Sequence, residues 1–345
     1  MQYKSNTAVV VDRTTIPNIK KRAEDIFQHD NVRTGRYLKF GSKYLDKATE
    51  GIEYSTFIIP APANLGKSTL LINIYHQLIL NNPEAFVLDF TLDDTFDIRY
   101  RNSLARISKL SINSMKYPDT LSDPEKRIRE AAAKTWETDI ASKLIILDKT
   151  DFNDRATRLT TIEKMIYYTK DNLKGKNKKL IVIIDGLHDI YVDDFPGNAN
   201  NQIQTESWVS KRISDIADGA KCTIIASAHT PKGSRRRGNS PDAIKGSSNF
   251  GYDAKIIGAV YSDYKINREN AEIFHEIAKA NQPDITEKLP VIELDITKNK
   301  VSDFSDIIFM KHYPVQSRAE EADEAWQEHW KNVIYNTDTK KQKRT

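Results

Sequence analysis

The sequence contains very little cysteine and no long hydrophobic run. Cys222 is the only cysteine in 345 residues, so no intrachain disulfide can form, and the chain suits a reducing compartment. No segment approaches the ~20 apolar residues that a membrane-spanning helix needs. The apolar run at residues 8–11 is too short for a signal peptide. We therefore expect neither a membrane protein nor a secreted domain held together by disulfides.

The chain also lacks a strong excess of charge. Its 52 basic and 48 acidic residues leave a net charge of +4, which is too weak to predict a nucleic-acid partner without a local basic patch. No cysteines and histidines have zinc-site spacing, and no internal repeat has the length of a solenoid unit. The length fits one large α/β domain with extensions, or two small domains.

The most informative stretch is residues 55–80. An apolar run at 56–59 predicts a buried strand, a loop rich in proline and alanine follows, and Gly66-Lys67-Ser68-Thr69 opens a helix. This layout is typical of a P-loop, in which free backbone N–H groups at a helix N-terminus bind phosphate. Ala61 replaces the usual first glycine, and a chance match at a helix start is the alternative. The predicted nucleotide-binding residues here are Ala63, Asn64, Leu65, Gly66, Lys67, Ser68 and Thr69.

Two predicted strands end in carboxylates. Residues 85–90 lead to Asp93 and Asp94, where a catalytic base could reach an attacking water, although either residue could instead cap the next helix. Five aliphatic residues precede Asp185, as in a Walker B strand. We expect Asp185 and the Ser68 hydroxyl to hold Mg²⁺.

A further strand at 222–228 ends at His229. We interpret His229 as a sensor of the γ-phosphate, the alternative being a hydrogen-bonded loop histidine. A basic, glycine-rich segment follows, and its cationic character favours contact with a phosphodiester backbone over a merely solvated charged run. The predicted DNA-binding residues are Arg235, Arg236, Arg237, Lys245, Gly246 and Ser247.

Three other regions give structural predictions. Residues 264–288 are charged and are expected to be partly helical. The pattern of residues 291–310 predicts an antiparallel hairpin that begins with an edge strand. Lys298 and Lys300 project from this hairpin, where they either form a polar tip or act as cations on a neighbouring subunit. A helix is expected at 17–28, and it packs either on its own domain or on a neighbouring subunit. A second helix is expected at 319–334, where Trp326 and Trp330 share a face.

In chain order, these motifs resemble the C-terminal ATPase domain of DnaB-type replicative helicases. The resemblance covers residues 37–318 and rests on APANLGKST, FTLDD, RYRNSLARISKLSINSM, LIVIIDGLHDI, IIASAHT, IKGSSNFGYDAKIIGAVY and ITKNK. It implies a RecA-like α/β fold, with a mostly parallel central sheet flanked by helices and a C-terminal antiparallel hairpin. Residues 1–36 would be an N-terminal arm with a linker helix, and 319–345 a C-terminal helix and basic tail.

The resemblance also implies a function. The chain would be an ATP- and Mg²⁺-dependent helicase that forms a ring, expected to be a hexamer, and moves on single-stranded DNA in the cytoplasm of a bacterial or phage-infected cell. Primase or a helicase loader would be further partners. Asp93 would be the catalytic carboxylate, Lys298 and Lys300 would act in trans, and Arg318 would lie near the nucleotide base.

The chain departs from the family at three of these positions. Asp93 replaces glutamate, His229 replaces glutamine, and Lys300 replaces an arginine whose bidentate fork lysine lacks. Two alternatives stay open: a RecA-like DNA-dependent ATPase that does not unwind, of the recombinase, helicase-loading or signalling type, and a nucleotide-binding assembly subunit whose hydrolysis has decayed, which the replacements at Asp93 and Lys300 suggest.

Overall fold

The computed structural model describes residues 37–52, 54–154, 157–193, 202–230, 253–279 and 282–342, together with Lys21, Glu24 and Phe27. The chain divides into two compact units, Met1–Tyr37 and Leu38–Thr345. In the first unit Lys21, Glu24 and Phe27 are helical, as expected for a helix at 17–28. The predicted DNA-binding residues between 235 and 247 lie outside the described residues.

The second unit is built on one sheet with helices on both faces. Its described strands are β1 (Thr56–Ala61), β2 (Ala85–Thr91), β3 (Leu144–Asp148), β4 (Lys179–Asp185), β5 (Thr223–His229), β6 (Ile256–Tyr261), β7 (Phe274–Lys279), β8 (Gln282–Asn299), β9 (Ile307–Tyr313) and β10 (Arg318–Glu321). The main helices are α1 (Lys43–Thr49), α2 (Lys67–Asn81), α3 (Phe96–Ser108), α4 (Ile112–Lys116), α5 (Asp123–Thr135), α6 (Leu159–Asn172), α7 (Gln202–Ala220), α8 (Asp263–Asn267) and α9 (Glu324–Gln342). No described helix is long and apolar enough to cross a membrane.

The strand order places β1 inside the sheet. The order is β10-β9-β8-β6-β1-β5-β4-β2-β3, and β7 pairs with β8 outside this path. Strands from β6 to β3 in this order run parallel, whereas β8, β9 and β10 are antiparallel to their neighbours. The predicted RecA-like α/β fold is therefore confirmed. Since the carboxyl ends of β1, β5, β4 and β2 meet at one edge, that edge is where a ligand is expected.

The parallel strands have nearly continuous apolar sequences because both of their faces are buried. Every residue of β1 is buried, as are the aliphatic residues of β4. One core packs α2 against the sheet through residues such as Leu70 and Ile74. The other packs α6 and α7 through Ile162, Ile166 and Ile213. Cys222 belongs to this second core, as a small buried residue.

Of two expectations about the antiparallel region, one is confirmed and one is wrong. Residues 264–288 are partly helical, since they include most of α8 and the 3₁₀ turn Arg268–Asn270, and the described residues that follow form a hairpin of β7 and the first half of β8. Strand β8 is not an edge strand, because it lies between β6 and β9. Its alternating pattern arises from an interior carboxylate: Glu293 is buried, and its Oε1 accepts a hydrogen bond of 2.7 Å from the Asp263 backbone N–H at the start of α8.

The C-terminal helix begins later than expected. Residues 318–321 form β10, so α9 starts at Glu324 rather than at 319. Trp330 is fully buried against Phe309 and Ile273, while Trp326 is partly exposed. Gln327 holds the helix on β9 through two hydrogen bonds with the Phe309 backbone, of 3.0 and 2.8 Å.

A buried arginine ties α3 to two strands of the sheet. Arg99 is 0% exposed; its Nε donates to Asp89 Oδ2 on β2 at 3.1 Å, and its Nη1 donates to Asp185 Oδ2 on β4 at 2.9 Å. Burial lowers the pKa of Arg99, but Asp89 and Asp185 more than offset this, so its pKa lies above the ordinary value. Arg99 therefore stays charged and fixes the carboxylate at the tip of β4.

Replacing this arginine should destabilise the fold strongly. Arg99→Met keeps most of the volume but leaves two carboxylates buried without their cation, and we expect a loss of about 3–5 kcal/mol in the free energy of unfolding. Urea denaturation measures it. The matched control on the same helix is Arg101→Met, which removes only the surface pair with Asp97. Equal losses in the two variants would contradict the role given to Arg99.

Candidate functional site

A cavity of about 320 Å³ opens at the carboxyl ends of the parallel strands. It is lined by residues from the P-loop, from the tips of β2, β4 and β5, from the segment that follows β6, and from the carboxyl end of β9. These residues are Ala63, Asn64, Gly66, Lys67, Ser68, Thr69, Asp93, Asp185, Gly186, His188, Ser227, His229, Lys265, His312 and Pro314. The separate sequence motifs at residues 61–69, 90–94, 180–190 and 224–230 thus meet in one place.

The P-loop has the backbone that phosphate binding requires. Gly66 has φ 99° and caps the N-terminus of α2, which therefore presents free N–H groups and its positive dipole end to the cavity. Ala61 lies in β1, in register with His229 and without a positive φ, so this position does not need the usual glycine. Leu65 is buried in the core and does not line the cavity.

The ammonium of Lys67 is held by three acceptors. Lys67 Nζ donates to the carbonyl oxygens of Ala61 and Pro62, both at 3.2 Å, and lies 3.2 Å from His229 Nδ1. A lysine has three N–H donors, so these contacts use all of them. Burial lowers the pKa of Lys67, and the carboxylates of Asp185 and Asp93 partly offset the effect. Because lysine can only donate, His229 Nδ1 must accept, which places any ring proton on Nε2.

Asp185 is positioned from three sides. Arg99 holds one carboxylate oxygen, and Ser227 Oγ donates to the other at 2.6 Å. Burial raises the pKa of Asp185, but Arg99 and the hydroxyls of Ser227 and Ser68 outweigh burial and lower it below the ordinary value. Asp185 therefore faces the cavity as a carboxylate hydrogen-bonded to Ser68.

This pair of oxygen ligands fits a magnesium ion. No group of three or more described His, Cys, Asp or Glu side chains could hold a metal by itself. Mg²⁺, however, prefers few protein oxygens completed by phosphate and water. Burial raises the pKa of Asp89, whereas Arg99 and two hydroxyls hold the pKa of Asp185 below its ordinary value, so Asp185 is the carboxylate that can offer an ionised oxygen to a cation.

Asp93 and Asp94 occupy different environments at the end of β2. Asp93 is exposed and lines the cavity. Asp94 is half-buried and does not line it; burial raises its pKa above the ordinary value, while Arg99 partly offsets that rise. Only Asp93 of the two is therefore placed beside the P-loop cavity, and its catalytic role stays a prediction.

His188, for which the sequence predicts no role, lies against His229. The two rings meet edge to face with centroids 3.9 Å apart, and His188 Nε2 lies 3.1 Å from Asp189 Oδ2. Burial lowers the pKa of His229, and the neighbouring Lys67 lowers it further. The only signal in the sequence was the histidine three residues after Asp185 in LIVIIDGLHDI.

The remaining predicted residues lie away from this cavity. Lys298 pairs with Ile257, which pairs with Ile58, and Lys300 N–H donates to the Lys255 carbonyl at 2.9 Å. Lys298 is thus level with the middle of β1 and Lys300 with its amino end, where Lys255 N–H donates to the Thr56 carbonyl, whereas the cavity lies at the carboxyl end of β1. Arg318 lines a second cavity of about 400 Å³ beside Asn73 and His76, and does not line the P-loop cavity; its contact with the base stays a prediction.

Comparison with known proteins identifies the family. The family described as the DnaB-like helicase C terminal domain matches residues 38–313. The chain belongs to this family. The DnaB-like domain is similar in structure to a solved ATPase domain, with a TM-score of 0.71 and 16% identity over 89% of this chain and 99% of that one.

A second solved structure has a similar fold. It is described as a DnaB-like replicative helicase and its interactions with primase; its TM-score is 0.68, with 16% identity over 89% of this chain and 67% of that one. No curated protein has a matching sequence. At these identities the two structures support the RecA-like fold of the DnaB-like domain, whereas its family rests on the sequence match.

Adding a side chain at Gly66 should damage the nucleotide site selectively. An ideal Cβ there would lie 2.9 Å from His312 Cε1, and the φ of 99° strains any L-residue. We expect Gly66→Ala to weaken ADP binding at least about tenfold, which corresponds to ~1.4 kcal/mol. Isothermal titration calorimetry measures this change.

Gly175→Ala is the matched control, because Gly175 has φ 75° but no atom within 4 Å of its Cβ. It should cost stability through backbone strain, ~1 kcal/mol, and leave ADP binding unchanged. Normal ADP binding by Gly66→Ala would show that the cavity beside Gly66 is not the nucleotide site.

Proposed function

We propose that the protein is an ATP-driven DNA helicase whose nucleotide sites lie between copies of the chain in a ring. The observation that carries this proposal is the separation of two sets of functional groups. The P-loop, Asp93 and Asp185 lie at the carboxyl ends of the parallel strands, whereas Lys298 lies level with Ile58 in the middle of β1 and Lys300 lies level with its amino end.

The separation favours action of the lysines in trans. Lys298 lies level with Ile58, three residues before Ala61, so it is about 10 Å short of the P-loop along the strands at ~3.3 Å per residue. Lys300 lies further back, beside Lys255. Two cations at these positions are well placed to approach the cavity of a neighbouring copy. There they would stabilise charge that develops on the transferred phosphoryl group.

In this proposal, residues that line the cavity bind the phosphates, hold the metal ion and activate water. The N-terminus of α2 and Lys67 bind the phosphates, and Ser68 with Asp185 would hold Mg²⁺, which neutralises phosphate charge when bound. Asp93, exposed at the cavity wall, orients the attacking water and accepts its proton. The attack adds water oxygen to the γ-phosphorus, breaks the bond to the β,γ-bridging oxygen, and yields ADP and phosphate.

The contacts of Lys67 support a coupling between nucleotide and the sensor strand. Its three N–H donors are already in use, so Lys67 must exchange an acceptor in order to bind a phosphate oxygen. His229 is the acceptor that lies outside the P-loop, at the end of β5. Nucleotide binding would thus release His229 from Lys67 and transmit the change to the basic segment that follows, which we propose grips single-stranded DNA.

A DNA-stimulated ATPase assay followed by fork unwinding tests this function. We expect single-stranded DNA to raise ATP hydrolysis severalfold, and the protein to unwind a forked duplex with ATP and Mg²⁺. Lys67→Ala should abolish both activities, because the lysine binds the β- and γ-phosphates. Lys174→Ala is the matched control; it removes an exposed ion pair with Asp171 and does not touch the residues that line the cavity.

The outcomes separate the alternatives. Hydrolysis without any stimulation by DNA would overturn the helicase assignment. Stimulated hydrolysis without unwinding would favour a RecA-like DNA-dependent ATPase. ADP binding without hydrolysis would favour a subunit whose catalytic activity has decayed. Asp93→Glu would then be the first variant in which to test whether hydrolysis returns.

A further inference from the structure

His312 is a buried polar side chain whose hydrogen-bonding groups have no partner in the described structure. It is 1% exposed, and neither Nδ1 nor Nε2 makes a hydrogen bond within the described residues. It follows Ile308 and Met310 on one face of β9, and those two residues pack into the apolar core beside α2. The side chains on this face are therefore apolar at Ile308 and Met310, and the next one, His312 beside the P-loop, is an imidazole.

The ring lies directly against the P-loop. The ideal Cβ position of Gly66 is 2.9 Å from His312 Cε1 and 3.4 Å from Nδ1, and His312 lines the P-loop cavity. The His312 backbone is fixed by pairing with Ala319 on β10, and its carbonyl lies 3.1 Å from His275 Nε2. The imidazole is thus held at the cavity wall by a rigid strand.

The strand order divides the cavity into two sides. Asp93, Asp185 and His229 come from β2, β4 and β5, on one side of β1. Lys265 follows β6 and His312 comes from β9, on the other side. A nucleotide whose terminal phosphate and metal lie beside Asp185 has its phosphate chain over the P-loop, which leaves the His312 side for its nucleoside.

The electrostatics favour an uncharged ligand group at His312. Burial lowers the pKa of His312 to about 3, and Lys265 and His275 contribute to this lowering. A neutral imidazole offers one N–H donor and one acceptor, which match a hydroxyl group or the edge of a base. Lys265, the neighbouring cation, already donates to the Asn64 carbonyl at 2.9 Å.

We propose that His312 is a nucleotide-binding residue that hydrogen-bonds an uncharged polar group of the nucleoside, either a ribose hydroxyl or the edge of the base. This rests on the proposed function only in taking the ligand of the cavity to be a nucleotide. It adds a contact that none of the P-loop, Walker B or sensor motifs contains. The contact supplies a partner for a buried group that otherwise lacks one among the described residues.

The test compares ligands with and without a nucleoside, using the whole 345-residue chain. Calorimetry measures ADP and inorganic tripolyphosphate binding, in Mg²⁺ and without DNA, to the wild type and to His312→Leu. We expect His312→Leu to weaken ADP about three- to tenfold, as for the loss of one net hydrogen bond, and to leave tripolyphosphate unchanged. Comparing the wild type with 2′-deoxy-ADP, 3′-deoxy-ADP and GDP then distinguishes the ribose from the base.

The chain provides a matched control in His76. It is also fully buried with both ring nitrogens unpartnered among the described residues, but it lines the second cavity. His76→Leu should leave both ligands unaffected. His312→Gln, which keeps a donor and an acceptor, should retain most of the ADP affinity and serves as the test variant if His312→Leu does not fold.

Two results would overturn the proposal. An equal loss of ADP and tripolyphosphate would mean that His312 only supports the P-loop, and unchanged ADP binding by His312→Leu would mean that it makes no contact. Failure of the wild type to bind ADP would overturn the nucleotide site and this contact together. A lack of DNA unwinding alone would overturn the helicase function and leave the contact at His312 standing.

Discussion

The hydrogen bonds of one buried guanidinium fix the carboxylate at the tip of β4 beside the P-loop. Arg99 joins Asp89 on β2 to Asp185 on β4 and brings α3 onto the sheet, with the three side chains almost completely removed from water. A buried ion pair of this kind contributes little net stability compared with an apolar cluster, but breaking it is costly. Its main effect is to hold the Asp185 carboxylate, together with Ser227, in one orientation beside Ser68. Asp185 can therefore stay ionised although it is buried, and a cation is favoured at that point.

The parallel and antiparallel strands of the sheet position different sets of side chains. The parallel strands gather the P-loop, Asp93, Asp185 and His229 at one edge, because every parallel strand ends there. Strand β8 runs opposite to the parallel strands, which takes Lys298 and Lys300 back from that edge, whereas β9 runs in the same direction as the parallel strands and its end brings His312 to the wall of the cavity. Among the described residues of one chain, the P-loop cavity is thus lined by Lys67, Asp93 and Asp185, and Lys298 and Lys300 do not line it.

The sequence was sufficient where the signal is local. Apolar runs that end at Pro60 and Asp185 predicted buried strands, and GKST predicted the start of α2. The roles of Arg99 and His312 could not be predicted, because each depends on partners far away in the chain. Arg99 looks like an ordinary helix-face charge until Asp89 and Asp185 are placed around it. His312 looks like one polar position in a strand until Gly66 packs on it. The alternating pattern of β8 wrongly predicted an edge strand for the same reason, because the hydrogen-bond partner of the buried Glu293 is the backbone at the start of α8.

The most direct test of a site shared between subunits is a mixing experiment with two inactive variants. Lys67→Ala lacks the P-loop lysine, and the double variant Lys298→Ala/Lys300→Ala lacks the hairpin cations. If the site is shared, mixed rings contain interfaces where an intact cavity meets intact lysines, and DNA-stimulated ATP hydrolysis should return. A mixture of Lys67→Ala with Asp93→Asn should stay inactive, because both changes fall in the same cavity. No recovery in the first mixture, with subunit exchange verified, would contradict the account.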